Sequence, residues 1–111
     1  MKNTLPLRNN SQFVNVYKNG RSKANKYLII YILENNLPEN RLGISVSKKV
    51  GNSVIRHRVK RLLKESYRLQ ENMFNSGLDI AVIARGSASS ASYKELDSAL
   101  LHLLKLHKIM K

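Results

Sequence analysis

Between Arg41 and Ala84 the hydrophobic period changes twice, and those changes restrict the fold more than any other feature of the chain. From Arg41 to Ser47 the residues alternate, with Leu42, Ile44 and Val46 on one side and Gly43, Ser45 and Ser47 on the other. A period of two is that of a half-buried strand. Asn52 or Ser53 then caps a stretch with helical period that runs to about Asn72. From Asp79 to Ala84 the run is apolar without alternation, as in a strand covered on both faces. Two strands joined by one helix and short connections form a crossover, so they are expected to lie parallel. The outer face of the first strand is small. Either it lets another backbone come close or it is an ordinary solvated face.

The rest of the chain fits around this unit. Asn10 or Ser11 can cap a short helix through Lys18, ended by Gly20, with Phe13 and Tyr17 four residues apart on one face. Lys26 to Leu33 reads as a strand that is apolar on both sides: Leu28, Ile30 and Ile32 on one, Tyr27, Ile29, Tyr31 and Leu33 on the other. Asn35 to Asn40 is a turn. Ser92-Tyr93-Lys94-Glu95 is a capping box, and Leu96, Leu100, Leu103 and Leu104 form the apolar stripe of a last helix. The expected fold is α+β: a single-domain α-β sandwich over residues 1–111, in the order α-β-β-α-β-α. A further short strand near Arg21 to Ala24 is allowed for.

The charge is as uneven as the periodicity. Lys and Arg number 20 against 7 Asp and Glu, a net charge of +13. Self-repulsion of that size opposes compaction, so a polyanionic partner is the natural reason for it, nucleic acid before membrane. Residues 41–68 carry nine basic side chains against Glu65 alone, whereas residues 69–111 carry five basic and four acidic. With no cysteine in the chain, disulfides and thiolate metal sites are excluded, and a reducing cytoplasm is compatible. The first residues lack the apolar core of a signal peptide. The longest apolar run, Leu28 to Leu33, is far short of the roughly 20 residues of a membrane span.

The middle helix carries most of this charge on one side. On a wheel of about 100° per residue starting at Arg56, Lys60, Lys64, Arg68 and Arg61 fall at roughly 40°, 80°, 120° and 140°. His57 lies within the stripe and Arg58 on its flank. Ile55, Val59, Leu62, Leu63, Ser66 and Leu69 occupy the opposite arc, at roughly 220° to 340°. Arg56, Lys60, Lys64 and Arg68 repeat one sign every four residues, which is repulsive by a few tenths of a kcal/mol per pair. Lys48 and Lys49 stand just before the tight turn Val50-Gly51-Asn52-Ser53, whose helix N-terminus has free N–H groups suited to phosphate.

The run Arg41-Leu42-Gly43-Ile44-Ser45-Val46-Ser47-Lys48-Lys49-Val50-Gly51-Asn52-Ser53-Val54-Ile55-Arg56-His57-Arg58-Val59-Lys60-Arg61-Leu62-Leu63-Lys64-Glu65 resembles the signature region of the bacterial ribonuclease P protein family. The resemblance extends to Phe13, Tyr17-Lys18 and Gly20 and to Asp79–Arg85. Two positions depart from the family pattern. Its Arg-Asn-Arg tripeptide reads Arg56-His57-Arg58 here, and its Arg before the Glu is Lys64.

The resemblance implies a left-handed β-α-β crossover, an exception to the usual hand. It implies an endoribonuclease holoenzyme in which the RNA subunit hydrolyses the phosphodiester with bound magnesium, in the cytoplasm and at 1:1 stoichiometry. The protein then binds that ribonuclease P RNA and the 5′ leader of precursor tRNA, with no catalytic residue, metal or cofactor of its own. Together with the charge pattern it suggests two separate surfaces. Lys48, Lys49, Asn52, Arg56, His57, Arg58, Lys60, Arg61, Lys64 and Arg68 are assigned to the RNA subunit. Phe13, Tyr17, Tyr31, Ser45, Ser47 and Arg85 are assigned to a leader cleft, where aromatic faces suit unpaired bases. Phe13 serves equally well as plain core.

Two other classes compete with this reading. A small ribosomal protein shares the charge and the α+β pattern but not the long signature region. A stand-alone ribonuclease needs a general acid and base close together, and no pair of carboxylates has such a spacing.

Overall fold

A computed structural model describes residues 4–111. Strand β1 (Thr4–Pro6) leads into helix α1 (Asn10–Asn19), and strands β2 (Arg21–Ala24), β3 (Leu28–Glu34) and β4 (Asn40–Ser45) follow. Helix α2 (Ser53–Gln70) crosses to β5 (Leu78–Ala84), and α3 (Tyr93–Leu106) closes the order. The five strands form one sheet in the order β1-β4-β5-β3-β2. β4 and β5 are parallel neighbours, as the crossover requires, with Gly43 opposite Ala81. β3 runs antiparallel to both β5 and β2.

The sheet has two unequal faces. On the larger, Leu28, Ile30, Ile32, Leu42, Ile44, Ile80 and Val82 pack with Val59, Leu63 and Tyr67 of α2 and Leu96, Leu100, Leu103 and Leu104 of α3. Each such side chain contributes about 1.5–3 kcal/mol of burial, which makes this face the main source of stability. On the other face, α1 lays Phe13 and Val16 over Ala81, Tyr31, Leu33 and Leu7. Ser66 donates to Asp97 Oδ1 at 2.5 Å, and Gln70 Nε2 donates to the same oxygen at 2.9 Å. These bonds explain why a serine sits in the buried arc of α2. Asp79, also buried, takes a bidentate hydrogen bond from Arg41 and a third bond from Asn35, which ties β4, β5 and the 35–39 turn together.

Several boundaries differ from the sequence expectation. β1 has too few residues to show a period; the free edge of β4 makes it a strand, in parallel register from Thr4 opposite Asn40. The expected order therefore gains a strand at its start, and the strand allowed for at 21–24 is present. The cap of α1 is Asn9 rather than Asn10 or Ser11: its side chain accepts from Gln12 N while Gln12 reaches back to Asn9 N. Gly20 ends that helix at φ −83°, so it is there for space; a Cβ would stand 2.5 Å from the Val16 carbonyl oxygen. β4 stops at Ser45, because Val50 N bonds to Ser47 O and the chain turns. α2 ends at Gln70, followed by a 3₁₀ turn at Glu71–Met73. Leu69, expected in the buried arc, is 61% exposed, while Tyr67 is 1% exposed.

Candidate nucleic-acid interface

The small outer face of β4 is covered by a ring at Gly43 and half-exposed at Ser45. The Phe13 ring lies on Gly43, where a Cβ would come within 2.3 Å of the ring. Gly43, Ala81 and Tyr31 stand side by side across β4, β5 and β3, so small residues leave room for an aromatic layer. Phe13 and Tyr17 rings are 6.0 Å apart, and Tyr17 meets Tyr31 edge-on at 5.1 Å. Burial pushes the Tyr17 hydroxyl above its ordinary pKa, partly offset by its hydrogen bond with Ser45. It remains a neutral O–H at physiological pH.

Phe13 and Tyr17 line a groove of about 790 Å³. Residues 4–8, Asn10 and residues 42–46 line it with them. Lys60 and Lys64 of α2 belong to the same lining. The two surfaces expected to be separate thus meet at these lysines. Of the six residues assigned to the cleft, Phe13, Tyr17 and Ser45 line the groove. Tyr31 supports Tyr17 from beneath. Ser47 lies in the exposed turn beyond β4. Arg85 is drawn off by its bond to the Asn25 carbonyl at 2.9 Å. Arg8 and the β1 wall were not foreseen; the only sequence signal for them is the basic, acid-free start of the chain.

The cationic face begins at the turn before α2. Buried Val50 pins that turn, and exposed Lys48 and Lys49 project from it. Asn52 spends its side-chain oxygen on the Ile55 N–H at 3.0 Å, so its part in the face is to shape the helix start. His57, Lys60, Arg61 and Lys64 are exposed along α2. Arg56 is half-buried, and its Nε has no protein acceptor among the described residues. Arg58 is tied back to the Ala91 carbonyl at 2.9 Å. Arg68 pairs with Glu65 at 2.6 Å, which holds that carboxyl below its ordinary pKa and neutralises the far end of the stripe. The net field is therefore concentrated on the first three turns of the helix and the turn before it. Among the described residues no helix is long and apolar enough to cross a membrane, and no three His, Cys, Asp or Glu side chains are grouped to hold a metal ion.

A small basic α+β protein whose cationic helix shares a groove with two aromatic rings has the charge and shape footprint of the RNA-binding class. The comparisons narrow the class. Residues 1–108 match the family described as Ribonuclease P. The ribonuclease P protein component of Lachnoclostridium phytofermentans is 62% identical over 104 residues, covering 94% of this chain and 90% of that protein. That of Alkaliphilus metalliredigens is 54% identical over 110 residues, covering 99% of each. The solved Staphylococcus aureus RNase P protein superposes with a TM-score of 0.89 at 36% identity, covering 96% of this chain and 97% of that one. The Thermotoga maritima protein gives 0.83 at 31% identity, covering 91% and 96%. The chain belongs to the bacterial ribonuclease P protein family. It is a protein component of a tRNA-processing ribonucleoprotein, an endoribonuclease whose holoenzyme contains an RNA partner.

Proposed function

We propose that this chain docks on ribonuclease P RNA through Lys48, Lys49 and the first turns of α2, and holds the 5′ leader of precursor tRNA in the groove. The observation that carries the reading is the groove itself, lined by aromatic rings and by lysines that have no ion-pair partner among the described residues. Stacked rings accept unpaired bases of any sequence. Lysines act on phosphates as point charges and arginines as planar forks. A single strand can lay bases against Tyr17 and Phe13 while its backbone passes Lys60 and Lys64. Those two lysines then stand where leader and RNA subunit come together.

The chain's own part is to bind and orient. Hydrolysis belongs to the RNA subunit with its magnesium ions, and the protein holds no cofactor. Neutralising phosphates near the cleavage point lowers the magnesium needed to bring the two RNAs together. The complex is one protein per RNA subunit and is cytoplasmic.

Reconstitution tests the proposal. The protein is combined with ribonuclease P RNA and precursor tRNA at low magnesium. Stimulated release of the 5′ leader, with no cleavage by protein alone, is the expected result. An absence of stimulation overturns the reading.

A further inference from the structure

His57 is set among cations. It is exposed on the outer side of α2, with Lys60 and Arg61 three and four residues on and therefore beside it on the helix surface. Lys48 and Lys49 project from the preceding turn. The acid of this helix, Glu65, is bound to Arg68. Asp97 of α3 bonds Ser66 and Gln70 on the opposite arc. Tyr93 lies beside Glu65 and Arg68 further along. Arg41 is paired with Asp79, and Arg85 is held by the Asn25 carbonyl. Neither those groups nor the 86–91 segment, which has no ionisable side chain, presents an acceptor to His57. Its imidazole has no hydrogen-bond partner among the described residues and faces where the proposed RNA lies.

We propose that His57 is a proton-linked RNA contact: its imidazole takes up a proton from solvent as the RNA subunit docks, so that binding is tighter in mildly acidic than in mildly alkaline solution. This rests on the docking face proposed above. Imidazole is the side chain whose ordinary titration spans neutral pH, and negative charge nearby favours its charged form. Phosphates arriving beside Lys60 and Arg61 bring that charge. The imidazolium then donates through either ring nitrogen to a phosphate oxygen and adds one charge-assisted contact. His57 is the imidazole of this face, set among side chains of the lysine and arginine type.

The test measures affinity of the protein for ribonuclease P RNA against salt at about pH 6 and about pH 8. The wild type should bind about fivefold more tightly at the lower pH, with a log–log salt slope steeper by about 0.7–0.9, the effect of one added phosphate contact. His57→Asn should show the same slope at both pH values, and His57→Lys should keep the acid slope at both. Calorimetry near neutral pH in two buffers of different ionisation enthalpy should show proton uptake by the wild type that His57→Asn loses. An equal pH effect in wild type and His57→Asn overturns the proposal, as does a wild type that binds identically at both pH values. Failure of the wild type to bind this RNA at either pH overturns the docking face itself, a separate result.

Discussion

Helices α2 and α3 pack on the same face of the sheet and bury comparable apolar stripes, yet their outer sides differ in kind. Along α3, Lys94 and Lys105 are interspersed with Glu95 and Asp97. Its acids are engaged: Glu95 closes the capping box with Ser92 and accepts from Tyr27, and hydrogen bonds from these groups hold its carboxyl below its ordinary pKa. Along α2, six basic side chains meet one acid, and Lys60 and Lys64, which line the groove, have no ion-pair partner among the described residues. Packing accounts for both inner faces. The outer face of α2 needs another reason, since like charges at helical spacing oppose folding, and the proposed RNA contact supplies one.

The largest effect expected from this contrast is on RNA affinity. Replacing Lys60, Arg61 and Lys64 by Ala should lower the log–log salt slope for ribonuclease P RNA by about two units or more, with affinity falling about a hundredfold at moderate salt. A control triple of Lys94, His102 and Lys105 to Ala on α3, which removes two formal charges against three, should change affinity by less than about threefold, since it removes only diffuse field. Equal losses from the two triples, measured by filter binding, would erase the distinction between the helices. Thermal unfolding of both variants should stay near wild type, because exposed substitutions usually fall within about 0.5 kcal/mol.

Tyr17→Ala sharpens the comparison by asking whether the α1 side of the groove belongs with α2. Loss of one stacked base corresponds to about 1–3 kcal/mol, so affinity for precursor tRNA with a leader should fall by about fivefold to over a hundredfold. Affinity for the RNA subunit alone should change little. Equal losses for both RNAs would mean that the groove is not a leader site.

The smallest effect concerns stability and lies at the end of α3. His107 is buried and bonds the Ile30 carbonyl oxygen at 2.8 Å, so Nε2 carries the proton of a neutral ring. Burial, with Arg21 and Lys23 nearby, lowers its pKa below the ordinary imidazole value despite the raising effect of that bond. Above that ordinary value the ring is neutral folded and unfolded, and it adds no pH dependence. As pH falls through about 6.5 the unfolded chain takes up its proton first, so the folded state loses stability. The wild type should melt a few degrees lower at about pH 5.5 than at pH 7.5, and His107→Gln should flatten that difference. An unchanged pH dependence in the variant would exonerate His107.

The parts of this account that were legible in the sequence are those with a local period. The β4-α2-β5 crossover, the cationic stripe and the Ser92–Glu95 box are each written in one contiguous stretch of sequence. What escaped depends on distant partners. β1 has no pattern of its own; its place comes from the β4 edge and from Thr4 meeting the Tyr67 hydroxyl at 3.0 Å. By helical angle Tyr67 falls within the cationic arc, but the sheet and α3 decide which side is buried. Arg58 and Arg85 are drawn to carbonyls 33 and 60 residues away, which no spacing rule reveals. Pairing of Arg68 with Glu65, three residues apart, could have been read directly. Lys60 and Lys64 share the groove with residues 4–8, a relation that exists only in the folded chain.

Because the chain has no cysteine, a single introduced thiol is a unique reporter. A photo-crosslinker attached at Lys64→Cys or at His102→Cys in the reconstituted holoenzyme with precursor tRNA tests the central claim most directly. RNA adducts should form efficiently from position 64, to the RNA subunit and to the leader, and be scarce from position 102. Adducts formed mainly from position 102 would contradict the account and move the RNA to the α3 face.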